Sequence, residues 1–240
     1  MSSKYRNDSL ISDKKCMLLF IKFPEKGTVK SRLAKDMHED NALSLYRNFV
    51  LDILKTLKPG KYQLKLCFYP PDDLDKVSAW LGKGYSYMPQ KGKDVGERMK
   101  NAFRETFSEG FAKGLLIGSD IPDLTHTIIN EAYEFDDYDA VIGPSLDGGY
   151  YLIGFKHDTF SPEIFEGMHW GTDQVFRETM EVFRKKRYRV HILREKRDID
   201  TLEDLRAFFE HNRNRDFADS GTMAFIRNNF EKIFGRTKNH

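Results

Sequence analysis

Apolar runs and helix-like patterns alternate along this sequence of 240 residues. Short runs that are apolar throughout, or that begin by alternating apolar and polar residues, predict strands at 16–21, 62–69, 85–88, 115–117, 139–143, 150–155 and 188–193. Apolar residues spaced by three and four predict helices from about 31, then over 43–57, 72–81, 94–107, 125–135, 172–187 and 201–211. Strands that alternate with helices predict an α/β protein, a three-layer α/β/α sandwich with a mostly parallel central sheet.

The two ends of the chain differ from this alternating part. Residues 1–14 are polar and charged, and we expect them to be disordered or loosely attached. Residues 213–240 place Phe217, Phe225, Ile226, Phe230 and Ile233 among polar residues, which predicts an appended amphipathic helical tail. That tail would pack on the body or on a partner subunit, as in a homodimer. The domain proper is therefore expected to span residues 15–212.

Composition and charge reduce the number of functional classes to which the protein could belong. The 39 basic and 37 acidic residues give a net charge of +2, which offers no electrostatic case for binding nucleic acid or an anionic membrane. No apolar stretch approaches the roughly 18 residues that a membrane span needs, and the polar start lacks a hydrophobic signal core. Cys16 and Cys67 accompany predicted core strands, which is typical of inert reduced thiols. These features predict a cytoplasmic protein.

The apolar run 115–117 is followed by the turn residues Gly118 and Ser119 and then by a carboxylate, Asp120. Asp120 would lie at the carboxyl end of a buried parallel strand, where open α/β sheets bind their ligands. A carboxylate is costly to bury unless a positive partner meets it. A divalent metal that carries a phosphate is one such partner, so Asp120 is the first candidate site residue.

The loop after the first predicted strand contains the second candidate site. Gly27 precedes Lys30 and Arg32, and both cations lie where the first helix is expected to begin. Free backbone N–H groups and fixed cations at a helix start suit a triphosphate or a pyrophosphate. A solvated basic turn is the alternative explanation, and the spacing of a Walker phosphate loop is absent.

Six motifs, in order and with compatible gaps over about residues 15–210, resemble a known family. They are Phe23-Pro24-x-x-Gly27-x-x-Lys30-Ser31-Arg32-Leu33, Gly96-Glu97-Arg98-Met99, Gly118-Ser119-Asp120-x-Pro122-Asp123-Leu124, Gly143-Pro144-x-x-Asp147-Gly148-Gly149-Tyr150-Tyr151-Leu152-x-Gly154, Trp170-Gly171-Thr172 and Asp198-Ile199-Asp200-Thr201-x-Glu203-Asp204-Leu205. The chain resembles transferases of glycosyltransferase-A fold in the nucleotide-diphospho-sugar transferase superfamily, relatives of the 2-phospholactate and molybdenum-cofactor guanylyltransferases. That superfamily contains both nucleotidyltransferases and sugar transferases, so the motifs specify the fold better than the reaction.

The resemblance implies a site for a divalent metal. Asp120 matches a metal-binding carboxylate at the end of the central strand, and Asp200 matches a second one from a late loop. Two carboxylates completed by water and phosphate oxygens suit Mg²⁺ or Mn²⁺. Without the resemblance, Asp200 would be explained as a cap of the last helix together with Glu203. Asp198 is a neighbour able to share or replace the role of Asp200.

The resemblance also implies a nucleotide site. Lys30 and Arg32 match the cations that clamp the nucleotide phosphates, and with Asp120 they form the expected catalytic set. Glu97 and Arg98 match a segment near the base and ribose, with ordinary surface ion pairs as the alternative. The full set of nucleotide-binding candidates is Phe23, Pro24, Gly27, Lys30, Arg32, Gln90, Glu97, Arg98 and Ser119, in which Gln90 is a candidate for the edge of the base.

The acceptor candidates come from two later loops. Asp147 can accept a hydrogen bond from a hydroxyl or an amine, and the glycines at 148 and 149 let the backbone approach a substrate closely. A bare hairpin turn would contain the same residues. Trp170 and Thr172 are expected to form an acceptor wall, with Thr172 capping the helix that follows. The acceptor-binding candidates are therefore Asp147, Gly148, Gly149, Trp170 and Thr172.

Three functions remain open at this point. A nucleotidyltransferase would transfer a nucleotidyl group from a nucleoside triphosphate to a small phosphorylated acceptor and release pyrophosphate, and two cations beside the triphosphate favour it slightly. A glycosyltransferase would use a nucleotide-diphospho-sugar donor, and the lack of a Gly-Gly-x-Gly-x-Arg loop favours this alternative. The third is a nucleotide-binding module without catalysis, although no expected carboxylate is missing from the sequence.

Overall fold

The computed structural model describes residues 12–235, and these form one seven-stranded sheet with helices on both of its faces. The strands are β1 (Ser12–Lys22), β2 (Gln63–Tyr69), β3 (Ser86–Pro89), β4 (Phe111–Ile117), β5 (Ala140–Pro144), β6 (Tyr150–Lys156) and β7 (Val190–Ile192). The helices are α1 (Ser31–Met37), α2 (Glu39–Leu57), α3 (Leu74–Leu81), α4 (Val95–Ser108), α5 (His126–Tyr133), α6 (Val175–Lys185), α7 (Leu202–Asn212), α8 (Gly221–Asn228) and α9 (Phe230–Phe234). No helix of this described part is long and apolar enough to span a membrane.

The sheet confirms the expected fold class, a three-layer α/β/α sandwich with a mostly parallel sheet. Its strand order is β3-β2-β1-β4-β6-β5-β7. Within residues 12–235, β6 alone runs antiparallel to its neighbours, β4 and β5. The short loop 145–149 joins β5 directly to β6, and a connection of this length allows antiparallel pairing only.

Both faces of the central strand β1 are buried, which explains why its sequence is apolar throughout. Met17, Leu19 and Ile21 face a core shared with α2, α3 and α5. The alternate residues, Cys16, Leu18 and Phe20, face a second core shared with α4 and α6. Side chains alternate across a strand, so only a run without polar residues satisfies two covered faces.

The C-terminal helices α8 and α9 pack on the body of the same chain. Met223, Ile226 and Ile233 are buried in a third apolar cluster that includes residues of α1, α2 and α7. Asp52, itself only 3% exposed, accepts hydrogen bonds from the backbone nitrogens of Gly221 at 3.1 Å and Thr222 at 2.7 Å. These bonds attach the start of α8 to α2.

The structure moves several predicted boundaries. Strand β1 begins at Ser12, inside the segment 1–14 that was expected to be loosely attached, and residues 1–11 lie outside the described residues, as do residues 236–240. Helix α6 begins at Val175, and Thr172 does not cap it. The Thr172 hydroxyl donates to the His169 carbonyl at 2.7 Å and accepts from the Gln174 nitrogen at 3.3 Å, which closes a turn before the helix.

Candidate active site

A cleft of about 730 Å³ opens at the carboxyl ends of β1 and β4. The strand order reverses here, because β2 and β3 follow on one side of β1 while β4 lies on the other. A crevice at such a point is where open α/β sheets bind ligands. The loops after β1 and β4 line the cleft, and they contribute Lys30 and Asp120. Asp120 therefore lies just beyond the carboxyl end of a buried strand, which is the position that the sequence predicts.

Lys30 lies at the centre of the charged groups in this cleft. Its side chain is only 3% exposed, and its ammonium nitrogen lies 2.5 Å from Oδ1 of Asp120 and 3.1 Å from Oδ1 of Asp200. The same nitrogen donates to the Ile199 carbonyl at 2.6 Å. Burial alone lowers the pKa of Lys30, but the two carboxylates outweigh burial and raise that pKa above its ordinary value. Three acceptors occupy the three ammonium protons, so Lys30 is charged and fully hydrogen-bonded.

Asp120 and Asp200 meet because their loops are hydrogen-bonded to each other. The backbone nitrogen of Ile199 donates to the backbone carbonyl of Asp120 at 3.2 Å. Asp200 does not cap α7, since Thr201 accepts from the Asp204 nitrogen and the Asp204 carboxylate accepts from the Thr201 nitrogen in a capping box. The capping explanation of Asp200 is thus wrong. Its carboxylate is left to face Lys30 and the cleft.

A third carboxylate, Asp198, lies beside this pair. It lines a small adjoining cavity of about 50 Å³ together with Asp120. Its Oδ1 atom is buried and has no hydrogen-bond partner within residues 12–235. Burial first, then the negative charges of Asp120 and Asp147, raise the pKa of Asp198 to about 8. Protonation of Asp198 relieves the cost of burying its charge at neutral pH, and an approaching cation would favour the ionised form.

The donor set fits a hard divalent cation. Asp120, Asp198 and Asp200 supply only oxygen atoms, which Mg²⁺ and Mn²⁺ prefer to nitrogen or sulfur. Across residues 12–235, no three His, Cys, Asp or Glu side chains are arranged as a complete metal site. A cation held here would need phosphate and water oxygens to complete its coordination, and this metal site stays a prediction.

Ser119, a predicted nucleotide contact, lines the cleft and is also part of its framework. Its hydroxyl lies 3.2 Å from the hydroxyl of Tyr46, which in turn accepts from the backbone nitrogen of Lys22 at 2.9 Å. Burial raises the pKa of Tyr46 to about 12. Tyr46 thus joins α2 to the ends of β1 and β4. The sequence analysis missed Tyr46, because its helical spacing marks it only as a core residue.

Two arginines line the cleft on the side of β1 and α4. Arg32 is 72% exposed and its guanidinium lies 3.9 Å from Oδ2 of Asp200. Arg98 stacks on the ring of Tyr69, with its guanidinium carbon 4.4 Å from the ring centroid. The Nε atom of Arg98 is buried without a hydrogen-bond partner, and no carboxylate of residues 12–235 forms an ion pair with it. Arg98 is therefore a cation available to an anionic ligand.

Gln90 lies on the same side of the cleft and is buried. Its amide nitrogen donates to the carbonyls of Ile21 at 3.1 Å and Cys67 at 2.6 Å, at the ends of β1 and β2. Those two bonds hold the side chain in one orientation. Its amide oxygen makes no hydrogen bond within the described part of the chain, so it remains available as an acceptor.

Two loops form another side of the cleft, and four of the acceptor-binding candidates, Asp147, Gly149, Trp170 and Thr172, line it. Oδ1 of Asp147 accepts from the Ser145 hydroxyl at 2.6 Å and from the Gly149 nitrogen at 3.0 Å. Trp170 packs so closely on α4 that a Cβ atom on Gly96 would lie 2.3 Å from its indole ring. The sequence analysis missed Asp173, which also lines this side directly after the Trp-Gly-Thr motif.

Five predicted site residues do not line the cleft: Phe23, Pro24, Gly27, Glu97 and Gly148. The Phe23 ring packs edge-on against Trp80, with 6.4 Å between centroids, and Pro24 is buried while Gly27 is exposed in the loop. The Glu97 carboxylate accepts from the backbone nitrogen of Lys93 at 2.8 Å at the start of α4. The structure therefore does not bring these five residues to the cleft, and their assignment to ligand binding stays a prediction.

The fold and the cleft together define a transferase of glycosyltransferase-A fold, and three solved structures show the likeness. A proposed nucleotide-diphospho-sugar transferase from Desulfovibrio desulfuricans G20 is 42% identical, with a TM-score of 0.89 over 92% of this chain and 97% of that one. A cytidylyltransferase from Leptospira borgpetersenii is 15% identical, with a TM-score of 0.53 over 95% and 100%. A manganese complex of Rv0371C from Mycobacterium tuberculosis is 15% identical, with a TM-score of 0.50 over 83% and 99%. The last two show the fold alone.

A family model described as "Uncharacterized protein conserved in bacteria (DUF2064)" matches residues 53–172, half of the chain. The chain belongs to this family. No curated protein matches it. The comparisons confirm the expected superfamily and the expectation of an enzyme of the transferase class.

Proposed function

We propose that this protein is a metal-dependent nucleotidyltransferase that takes a nucleoside triphosphate and a small acceptor and releases pyrophosphate. One observation carries the proposal: three carboxylates converge beside the buried Lys30 at the carboxyl ends of β1 and β4. The free cation Arg98 lines the same cleft. This combination provides a place for a cation and for the phosphates that accompany it.

The reaction joins an ionised phosphate oxygen of the acceptor to the α-phosphorus of the triphosphate, so no proton has to be removed. The bond from that phosphorus to the oxygen bridging to the β-phosphorus breaks, and its electron pair leaves with pyrophosphate. Arg32 and Arg98 would bind phosphate oxygens and stabilise the charge that the leaving group gains. Gln90 would accept a hydrogen bond from the edge of the base.

Asp120 and Asp200, joined by Asp198, would hold the metal ion. When bound, Mg²⁺ or Mn²⁺ supplies positive charge to the phosphate oxygens and helps to orient them. Lys30 fixes the positions of Asp120 and Asp200 through its two hydrogen bonds. Its raised pKa keeps it protonated at neutral pH, so this positioning does not depend on small changes in pH.

One relative supports transferase chemistry in general. The Desulfovibrio protein, at 42% identity over most of both chains, is a proposed nucleotide-diphospho-sugar transferase. A reducing cytoplasmic setting is proposed with this function, because Cys16 and Cys67 are buried free thiols.

Glycosyl transfer from a nucleotide-diphospho-sugar is the second candidate function. The side of the cleft that contains Asp147, Gly149 and Trp170 favours it, because an aromatic ring beside a hydrogen-bond acceptor suits a sugar. In that reaction the arginines would bind the diphosphate of the donor, and the carboxylates would hold the accompanying metal ion.

Calorimetric titration with Mg²⁺ or Mn²⁺ present tests the proposal. GTP, CTP, UTP and ATP are compared with GDP-sugars and UDP-sugars, and the ligand that binds is then assayed for pyrophosphate release with candidate acceptors. Tight binding of one triphosphate with pyrophosphate release supports nucleotidyl transfer. Preference for a nucleotide-sugar would favour glycosyl transfer instead. Binding without turnover would indicate a nucleotide-binding module without catalysis.

A further inference from the structure

Lys30 lies between the two carboxylates that would hold the metal ion in the proposed function. Its ammonium nitrogen is 2.5 Å from Oδ1 of Asp120 and 3.1 Å from Oδ1 of Asp200. The guanidinium group of Arg32 lies 3.9 Å from Oδ2 of Asp200. Within residues 12–235, Oδ2 of Asp120 is therefore the one oxygen of this pair of carboxylates without a cationic partner. A metal ion that arrives alone finds most of these oxygen ligands already engaged.

The surroundings of Lys30 hold its side chain at the edge of the cleft. The buried ring of Phe49 covers one side of the ammonium group, with 5.6 Å between the nitrogen and the ring centroid. The backbone of Lys30 has a φ of 48° and a ψ of 43°, a left-handed conformation that is rare for a residue other than glycine. Lys30 also lines the cleft. Because an apolar ring covers one side, an ammonium group that leaves the carboxylates has the cleft to enter.

The same pairing limits what a polyphosphate gains when it arrives alone. All three ammonium protons of Lys30 are engaged by the two carboxylates and by the Ile199 carbonyl. A polyphosphate that draws Lys30 away leaves Asp120 and Asp200 without that cation, which is unfavourable. A metal ion that binds the carboxylates at the same time removes this cost. Each of the two ligands therefore gains most when the other is present.

We propose that Lys30 is an exchangeable internal counter-ion: it neutralises Asp120 and Asp200 when neither ligand is bound, and it moves to phosphate oxygens when a metal ion and a polyphosphate bind together. The cleft accordingly selects the metal–polyphosphate complex over the free metal ion and over the free polyphosphate. Lys30 exchanges hydrogen bonds only, and no covalent bond changes. The proposal rests on the metal site of the proposed function but not on its reaction, because nucleoside triphosphates and nucleotide-diphospho-sugars both contain a chain of phosphates.

Equilibrium dialysis of the intact protein against Mn²⁺, with and without inorganic tripolyphosphate, tests the exchange without a choice of nucleobase. The Mn²⁺ that the protein retains is the excess on its side of the membrane. We expect tripolyphosphate to tighten Mn²⁺ binding by the parent about tenfold or more. Lys30→Met should bind Mn²⁺ alone about tenfold more tightly than the parent, because its carboxylates have lost their counter-ion, and tripolyphosphate should then add little.

Lys113→Met is the matched control. Lys113 is also a largely buried lysine paired with a carboxylate, 2.6 Å from Asp136, but it lies outside the cleft. This variant should retain Mn²⁺ as the parent does under both conditions. A second measurement needs only the parent protein and so remains decisive if Lys30→Met does not fold. Mn²⁺ should tighten the binding of tripolyphosphate, followed as total phosphate, by the same factor by which tripolyphosphate tightens the binding of Mn²⁺.

Two results would overturn the exchange of Lys30. One is a parent protein that binds Mn²⁺ equally tightly with and without tripolyphosphate, and the other is a folded Lys30→Met that binds Mn²⁺ alone no more tightly than the parent. A parent that retains no Mn²⁺ under either condition would contradict this inference together with the metal site of the proposed function. Coupled binding of Mn²⁺ and tripolyphosphate without pyrophosphate release from any nucleoside triphosphate would contradict nucleotidyl transfer alone and support the exchange.

Discussion

Buried lysines lie at both ends of the central sheet, and the two ends balance their charges differently. At the amino end, Lys65 pairs with Glu109, while Lys113 pairs with Asp136 at 2.6 Å. Each of these lysines has one carboxylate. At the carboxyl end, Lys30 is shared by two carboxylates, and Asp198 lies beside them with an unpartnered oxygen.

The comparison separates charges that support the fold from charges that await a ligand. The amino-end lysines are also surrounded by their own local partners: Lys113 donates to the Tyr133 carbonyl at 3.0 Å and lies 5.0 Å from the centroid of the Phe135 ring. Nothing there requires a further ion. The carboxyl end instead places two carboxylates on one lysine and Asp198 beside them, in a cleft that a metal ion and its nucleotide would occupy in the proposed function.

The largest expected effect comes from Asp120→Asn, which removes one of the two carboxylate charges that share Lys30 and keeps the shape of the side chain. We expect the proposed transfer to fall by a factor on the order of 100 to 1,000, because a carboxylate proposed to hold the metal ion is lost and that ion would supply charge to the phosphates. Pyrophosphate release and calorimetric titration with Mn²⁺ measure the loss. Asp136→Asn makes the same change at the amino end and should leave both measurements at the parental value. Equal losses in the two variants would show that the comparison is wrong.

Lys30→Met should have the next largest effect. The substitution leaves Asp120 and Asp200 without their buried cation, and we expect the free energy of unfolding to fall by roughly 2 kcal/mol. We expect a smaller loss of stability than for a fully buried ion pair, because the carboxylates of Asp120 and Asp200 are each more than a third exposed. Urea denaturation with and without Mn²⁺ provides the measurement. Mn²⁺ should stabilise the variant more than the parent, and an equal or smaller stabilisation would argue against a shared cation site.

Arg98→Gln tests the free cation of the cleft. Its guanidinium has no carboxylate partner, so the fold should tolerate the change, while binding of a nucleoside triphosphate should weaken about tenfold. Calorimetry with the triphosphate and with its nucleoside distinguishes the roles. Equal weakening of both ligands would assign Arg98 to the base or ribose instead of the phosphates.

Lys113→Met should have the smallest effect. Asp136 is 80% exposed and can be hydrated once its partner is gone, so the main loss is the hydrogen bond to the Tyr133 carbonyl. We expect the free energy of unfolding to fall by about 1 kcal/mol. Urea denaturation should show this decrease with no dependence on Mn²⁺, and the transfer rate should not change. If Mn²⁺ changed the stability of Lys113→Met, the distinction between the amino and carboxyl ends of the sheet would be contradicted.

Local patterns in the sequence determined the architecture and one part of the site. The apolar run of β1 and its counterpart at 115–117 specify strands covered on both faces, and this burial follows from the residues themselves. The position of Asp120 at the end of β4 follows from the same run and the turn residues after it. Local patterns were less informative at helix starts, where acidic and hydroxyl side chains can serve either substrates or the backbone. Glu97 accepts from the Lys93 nitrogen at the start of α4, and Thr172 lines the cleft but closes a turn before α6 instead of capping that helix.

Only the tertiary structure decided which charges meet. Parallel strands bring their following loops to one edge of the sheet, and the backbone hydrogen bond from Ile199 to Asp120 then places Asp200 beside Lys30. At the same edge, one carboxylate oxygen of Asp198 is buried without a hydrogen-bond partner among the described residues. Tyr46 of α2 lies there between the ends of β1 and β4. A sequence pattern records how strongly each residue favours burial. The partner that a buried charge meets depends on the path of the whole chain, which no local pattern contains.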